Sequence, residues 1–455
     1  MPRIPLFVVA IALANFLVPL NSTMIVVALP TIARDLAVDR ATVAWLITAY
    51  LIAMAALQPI GGRIGDRFGP RRVLIGALLG FAIASGLAPL ARDLTTLVTF
   101  RLLQALCAAA ITPNAMGLLR GAAVEGRAGT YFGITGAMSG IGASIGPLLG
   151  GLLASFDWRW IFAANVPLVV AIIALGWMTL PRREGKRTAA PDVLGALALG
   201  LLLSVAAWTL TQAEDNAVAT TVALTLAVIA GGWLFVRYES GHADPALPPG
   251  LFRSRGFSGA NATIALSNLA LYGMLIALPF ALADGPDPEV RSGIVLTALS
   301  IGMIVLSPIA GMLVDRFDAR LPTAIGGALI ALGLAIPLAL GRTADFTTLL
   351  VAMPIAGAGV ALTFPSTRIA ALDAAPPRFA GLASGVTSTS RYFGGIVGSL
   401  VAGLTLGRAA DLSALPAVFI TFALAGLASG VVGGTTLHAV RGGIDVRRDE
   451  AGAAD

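Results

Sequence analysis

From residue 5 to residue 438 the chain is a series of apolar runs, each about 20 residues long, separated by short polar turns. A helix of about that length crosses the hydrocarbon core of a bilayer. The runs lie near 5–29, 41–62, 73–91, 95–119, 127–154, 160–180, 192–212, 217–236, 257–282, 291–314, 322–341, 346–369, 379–406 and 414–438, about fourteen in all. None has the alternation of a membrane barrel strand, and in lipid each backbone group must be paired within the protein. The expected fold class is an all-α polytopic membrane protein. Charged residues are 12% of the chain, about half the share in a soluble domain. The first run leads straight into further spans without a small-residue cleavage site, so it reads as a helix and not a removed signal.

The formal charge of +6 invites a nucleic-acid reading, but the arginines sit in short loops between spans, where membrane orientation puts them. No nucleic-acid partner is expected. Lys186 is the single lysine, and alanine and glycine abound, a composition read as the codon bias of a GC-rich bacterium. Cys107 is the only cysteine, so no intramolecular disulfide can form. The two histidines, His242 and His438, fall in a loop and near the end of the last span. Neither a metal site nor a cofactor is expected. A membrane enzyme or receptor would need clustered His, Asp or Ser at membrane depth, or a sizeable soluble domain. The sequence offers neither, so the protein is not read as an enzyme.

Placing the N-terminus in the cytoplasm puts about 21 of the 30 Lys and Arg residues inside and about 7 outside. The inner loops hold Arg71–Arg72, Arg120 to Arg127, Pro181 to Arg187 and Arg253 to Arg255, whereas an outer turn such as Ala283 to Val290 is acidic. An even number of spans returns the C-terminus to the cytoplasm. The chain divides into six spans (1–184), two linking spans (185–240) and six more with a short tail (241–455). The linking pair is expected beside the halves, outside the pathway.

A charged hairpin follows the second span of each six. The first reads GGRIGDRFGPRR from Gly61 to Arg72, the second GMLVDRFDAR from Gly311 to Arg320. Gly62 aligns with Gly311, Asp66 with Asp315, Arg67 with Arg316, Phe68 with Phe317 and Arg71 with Arg320, while Asp318 stands where the first copy has Gly69. A parallel repeat of this kind places a transport site between two halves. Glycine permits a tight turn, Asp66 is an acceptor suited to a helix N-terminus, and Arg67, Arg71 and Arg72 can reach acids across the inner face. Charge that merely sets topology needs neither the aspartate nor the patterned glycines. The expectation is a conformational latch built from Gly62, Asp66, Arg67, Gly69 and Arg71, with Asp315 and Arg316 in a weaker twin that mainly sets topology.

The first hairpin resembles the loop signature of the major facilitator superfamily. Three other stretches carry the resemblance. Gly140 to Gly151, GIGASIGPLLGG, is similar to the glycine-proline motif of that superfamily's exporters, with Gly142, Gly146, Pro147, Gly150 and Gly151 in place. Small residues at this density let helices touch backbone to backbone, which is also the ordinary structural reading. Arg101 and Gln104 match the superfamily's Arg-x-x-Gln-Gly motif, with Ala105 in the glycine's place. An arginine inside a span costs at least about 2.5 kcal/mol to insert and is a functional candidate by default. The competing reading has Arg101, in the outer third, snorkelling to the interface.

Leu20 to Pro30, LNSTMIVVALP, resembles the first-helix signature of the fourteen-span drug:proton antiporters, usually Leu-Asp-x-Thr-Ile-Val-Asn-Val-Ala-Leu-Pro. Here Asn21 replaces the aspartate and Val27 the later asparagine. Asn21 can carry no proton, though it can hydrogen-bond substrate or Arg101. Three more stretches match the same family along the chain: Asp157 to Pro167 (DWRWIFAANVP), Pro249 to Phe257 (PGLFRSRGF) and Ser390 to Gly398 (SRYFGGIVG). Trp158 and Trp160 read physically as interfacial anchors, and Arg391 as a substrate contact or a partner of nearby carbonyls.

The resemblance implies a major facilitator fold of two six-helix halves plus two linking helices in a bacterial cytoplasmic (inner) membrane. It implies alternating access, efflux of a small amphipathic drug, antibiotic or metabolite, protons as coupling ion, and function as a monomer. No aspartate or glutamate is expected inside a span, so a neutral or anionic substrate is favoured. The expected substrate or coupling residues are Asn21, Arg101, Gln104, Thr23, Gln58, Asn268, Tyr272 and Arg391. Other polar candidates for the cavity are Trp45, Thr48, Tyr50, Asn114 and Asn261. A proton-independent facilitator, an uptake permease, or a degenerate transporter acting as a sensor are the alternatives that the loss at Asn21 leaves open.

Overall fold

The computed structural model describes residues 5–122, 128–181, 192–211, 218–241, 249–375, 380–406 and 414–437. His242, His438, Lys186 and the loops holding Arg183 to Arg187 and Glu214–Asp215 lie outside them, as do the side chains of Asp66, Asp315 and Arg316. The described residues are helical throughout apart from turns. The first stretch holds α1 (Leu6–Val27), the short α2 (Leu29–Asp35) and α3 (Arg40–Val43), α4 (Trp45–Phe68), α5 (Pro70–Leu87) and α6 (Leu94–Ala122). The second stretch holds α7 (Ala128–Ala154), the single-turn α8 (Trp160–Ala163) and α9 (Asn165–Thr179). Then come α10 (Val193–Thr211), α11 (Val218–Gly241), α12 (Arg255–Ala281), α13 (Pro288–Phe317), α14 (Arg320–Ala339), α15 (Phe346–Asp373), α16 (Ala380–Leu406) and α17 (Leu415–Thr436).

Twelve helices among the described residues are long and apolar enough to cross a membrane. The described part of α7 adds a further apolar stretch at Met138–Ala154. In α16, 27 residues long, the first half reads SGVTSTSR and is polar along its interior.

Packing follows the glycines. In α7, Gly142, Gly146 and Gly150 recur at four-residue spacing and press on the α1 backbone at Phe16, Leu20 and Met24, where a Cβ on any of the three would collide. Gly394 and Gly398 of α16 do the same to Ala265 and Leu269 of α12. The first and fifth helices of each six are thus joined by one device used twice. Gly151 faces away from α1: a Cβ there would strike the Glu289 carbonyl of α13, and one on Gly293 would meet the Pro147 carbonyl at 2.6 Å. The exporter-like motif therefore divides its glycines between two neighbours.

The charged hairpins are tighter than the sequence indicates. Helix α4 runs on through Gly61 to Phe68 and turns on Gly69 alone, at φ +92°, before Pro70 opens α5. In the second copy the turn residue is Asp318, also at positive φ (+66°), and its carboxylate accepts from the Arg320 backbone N–H at 2.6 Å. Aspartate is among the few side chains that tolerate this region. The substitution that reads as erosion preserves the turn.

The two halves meet at the end opposite the hairpins, here the far end. Thr31 and Arg34 of α2 bind Glu289 of α13, the arginine at 3.4 Å. Arg40 lies over the Phe280 ring of α12 at 5.5 Å, and deeper in, Thr48 of α4 shares a 2.8 Å hydrogen bond with Ser399 of α16. At the hairpin end, Arg71 donates to the Trp177 carbonyl at 2.6 Å and Arg320 to that of Leu437, each within its own six helices. Arg71 was expected to reach acids across the inner face; it holds a carbonyl of its own half instead.

Helices α10 and α11 pair with one another, and α10 rests on α4 and α16. Here the sequence reading needs a correction. Glu239 lies inside α11 and is 1% exposed, and Asp192, also buried, heads α10. Both carboxylates flank Gly195, and the Tyr238 hydroxyl donates to Asp192 at 3.1 Å. The expectation that no span holds a buried carboxylate ended the eighth run at 236, whereas the helix continues through Gly241. A second correction concerns Trp158, which is 2% exposed and buried beneath the far end, donating to Asp35 at 2.9 Å; only Trp160, 56% exposed, faces outward as an anchor.

Candidate substrate site between the halves

Five helices of the first six bring a polar cluster together at membrane depth. Arg101 of α6 is 1% exposed, so it does not snorkel. It donates to Gln104 Oε1 at 3.0 Å, and Gln104 in turn donates to Ser85 Oγ of α5 at 2.8 Å. The i, i+3 spacing of Arg101 and Gln104 on one helix face makes that bond local. The guanidinium carbon sits 4.4 Å above the Tyr50 ring of α4. A cation over an aromatic face is favoured by about 0.5–2 kcal/mol, which offsets only part of the several kcal/mol that desolvating it costs.

Asn21 of α1 is fully buried, and its Oδ1 accepts from Asn165 Nδ2 of α9 at 3.2 Å. Its own amide nitrogen has no hydrogen-bond partner, and neither does the Tyr50 hydroxyl, which is 2% exposed. Each such orphan costs about 1–3 kcal/mol while it stays unsatisfied.

The opposite wall comes from α12 and α16. Arg391 donates to the Tyr392 hydroxyl at 2.8 Å and lies 4.7 Å from that ring. Tyr272 packs against Gly395, and Leu51 of α4 touches the same glycine. Arg391 is within electrostatic reach of Tyr272, Tyr392 and, across the interface, Tyr50. Among the described residues neither Arg101 nor Arg391 has an acidic partner.

The remaining candidates separate. Thr23 bonds the Pro19 and Leu20 carbonyls of its own helix under Gly146, and Asn268 bonds the Ile264 carbonyl of its own helix at 2.9 Å. Asn114 joins α6 to the Gly61 carbonyl of α4 at 2.8 Å, and Asn261 accepts from Ser390 at 3.0 Å. These four serve helix packing in this conformation. Gln58 is half-buried with its Oε1 unpartnered. Arg391 bonds a tyrosine, not the carbonyls allowed for by the sequence. Asn165 and Tyr392 were missed, although both lie in stretches singled out for resemblance. Their signal, a polar group one to four residues from a motif residue on an apolar helix, is too common to stand out.

Two helical halves meeting over a buried polar cluster define a polytopic membrane transporter. The chain belongs to the Major Facilitator Superfamily, whose model matches residues 11–399 and again 245–441. It is 34% identical over 433 residues to the puromycin resistance protein pur8 of Streptomyces alboniger, covering 90% of this chain and 84% of that protein. It is 30% identical to the tetracenomycin C resistance and export protein of Streptomyces glaucescens over 404 residues, 87% of this chain and 75% of the relative. The MFS-type transporter YvkA of Bacillus subtilis (strain 168) is 33% identical over 88% of this chain and 90% of its own length. A solved peptide transporter POT in complex with sulfate has the same fold, with a TM-score of 0.72 at 17% identity over 94% of each chain.

Proposed function

We propose that this protein is a fourteen-span secondary transporter of a bacterial cytoplasmic membrane, exporting small amphipathic compounds by alternating access. Residues 1–184 and 241–455 act as the two moving halves, and 185–240 as a linking pair at their side. Both termini lie in the cytoplasm, so the hairpin end is the inner side and the far end the outer. The far-end contacts of Arg34 with Glu289 and of Gly151 with α13 hold the outer side closed, and the molecule faces inward. A single chain suffices, since both walls of the site come from it.

The observation that carries this reading is the polar cluster itself. Asn21, Tyr50 and Arg101 from one half, and Tyr272, Tyr392 and Arg391 from the other, lie where rocking of the halves exposes them to alternate sides. Export is supported by the name of the Streptomyces glaucescens relative, a resistance and export protein. Protons remain the coupling ion of this proposal, and Asn21 is not their carrier. The neutral or anionic preference now rests on the lack of acidic partners at Arg101 and Arg391, not on a lack of buried carboxylates, since Glu239 is one.

The test is flux in proteoliposomes holding the purified protein, with puromycin and tetracenomycin C as probes and a proton gradient imposed in either direction or absent. Gradient-driven movement of either compound supports the proposal. Equal flux without a gradient makes it a facilitator, and no flux across a wider panel of amphipathic compounds overturns it.

A further inference from the structure

We propose that Asn21, Tyr50 and Arg101 form a receptor for an ionised carboxylate carried by the cargo. The inference rests on the transport reading and names the substrate class of the same site. Three observations converge. The Asn21 amide nitrogen is a pure donor, fully buried, whose oxygen is already engaged by Asn165. The Tyr50 hydroxyl beside it is also buried and interacts with the Asn21 side chain, yet makes no hydrogen bond of normal geometry. Arg101, stacked on the Tyr50 ring, is a buried cation that donates to two neutral acceptors, the Gln104 oxygen at 3.0 Å and the Leu46 carbonyl at 3.5 Å.

Amide N–H, phenol O–H and guanidinium are all donors, and one of them carries charge. What is missing from the group is an acceptor with negative charge. An aspartate at position 21 would fill that role from within and leave room for a cationic cargo. With asparagine there, the acceptor must arrive with the substrate. Arg391, facing Tyr50 from the other half, adds a second positive charge to the same region without an acidic partner among the described residues. Tyr272 and Tyr392 supply aromatic surface beside it. The complementary ligand is an aromatic or otherwise apolar body bearing one carboxylate.

Binding to the purified full-length protein tests this, read as thermal stabilisation and converted to affinity. The probes are 1-naphthoate, its neutral methyl ester, 1-naphthylmethylammonium, and sodium acetate at matched ionic strength. Naphthoate is expected to bind at least about tenfold more tightly than the ester or the ammonium, since hydrogen bonds to a charged group are the strong ones. Acetate binding as tightly as naphthoate would mark a site for any small anion and overturn the amphipathic assignment. Tyr50→Phe keeps the ring under Arg101 and removes one donor, and should weaken naphthoate about tenfold. Asn21→Asp should abolish the naphthoate preference and favour the ammonium. Tighter binding of the ester or the ammonium by the parent protein, or unchanged naphthoate affinity in Tyr50→Phe, overturns the inference. Proton-driven flux of ammonium compounds without naphthoate binding would sink this inference and leave the transport reading standing. Naphthoate binding with no flux of any probe would do the reverse.

Discussion

The Arg71 guanidinium donates to the Trp177 carbonyl oxygen at 2.6 Å and lies over the same residue's ring at 5.6 Å. Trp177 sits in the last turn of α9, where carbonyls lack intrahelical partners. Arg320 makes the matching bond to Leu437 at the end of α17. Each hairpin therefore fastens the end of the sixth helix of its own half. If that bond is the role of Arg71, lysine should not replace it, because an ammonium lacks the planar fork that bonds and stacks at once. Arg71→Lys keeps the topology-setting charge yet should lower stability by about 1 kcal/mol, read as a drop in Tm of the purified protein. A lysine variant with the parent's Tm would return Arg71 to a purely topological role.

The turn residues make a separate prediction. Gly69 at φ +92° holds a backbone conformation that side chains rarely adopt, whereas Asp318 at φ +66° tolerates that region and caps Arg320. Gly69→Ala should destabilise by about 1–3 kcal/mol. Asp318→Gly trades a hydrogen bond for relief at the turn and should stay within about 0.5 kcal/mol of the parent. Urea or thermal melts in detergent check both. Equal effects would show that the two turns are not the same device.

Much of this was legible in the sequence, and the exceptions share a cause. Apolar length identified the helices, and the aligned hairpins located the matching bends, because both signals are local. Arg101 and Gln104 were found because a charge inside an apolar run is rare. What the sequence could not convey is which face of a helix meets which neighbour. Trp158 carries the usual mark of an interfacial anchor but is buried, with its indole N–H donated to Asp35. Thr23 and Asn268, polar and at the right depth, turn to their own helix carbonyls. Glu239 was missed because hydropathy falls off before the helix does. Nothing in the sequence marks Tyr392 as the side chain that its neighbour Arg391 bonds.

Helix contact through glycine gives a paired test in α7. A side chain at Gly150 would run into the Met24 backbone of α1, while Gly140, ten residues earlier on the same helix, has open space around it. Gly150→Val should cost about 1–3 kcal/mol or more through overpacking and abolish transport. Gly140→Ala should stabilise by up to about 1 kcal/mol through helix propensity and leave flux unchanged. Transport that survives Gly150→Val would mean that the close approach of α1 and α7 is dispensable.

Asp35 carries a pH dependence. The hydrogen bond from Trp158 holds its carboxyl below the ordinary aspartate range, assisted by Arg159 at 3.1 Å. A folded pKa below the unfolded value means that the stabilisation is present above about pH 4, the unfolded aspartate value, and is lost as pH falls through the folded pKa. Trp158→Phe should therefore destabilise more at pH 6 than at pH 3, with the gap closing below about pH 4. Tm measured across that range decides it. A gap that is flat with pH would show that Trp158 acts by packing alone.

The contact of Thr31 and Arg34 with Glu289 joins the halves at the far end. Opening that end must break it, and the backbone meeting of Gly151 with Glu289 as well. The ion pair is partly exposed, with Arg34 open to solvent and Glu289 nearly covered, so its net worth is on the order of 1 kcal/mol. That is small against folding but large against an equilibrium between two nearly balanced conformations, where 1.4 kcal/mol is a tenfold change in population. Glu289→Gln keeps the shape and removes the charge. It should leave Tm within about 1 kcal/mol of the parent while raising the population open at the far end by about three- to tenfold. Labelling of a single cysteine placed at Thr48, in a background with Cys107 replaced by alanine, reports that opening as a rate. A variant that labels no faster than the parent would mean that Glu289 stabilises the fold and not the closed end.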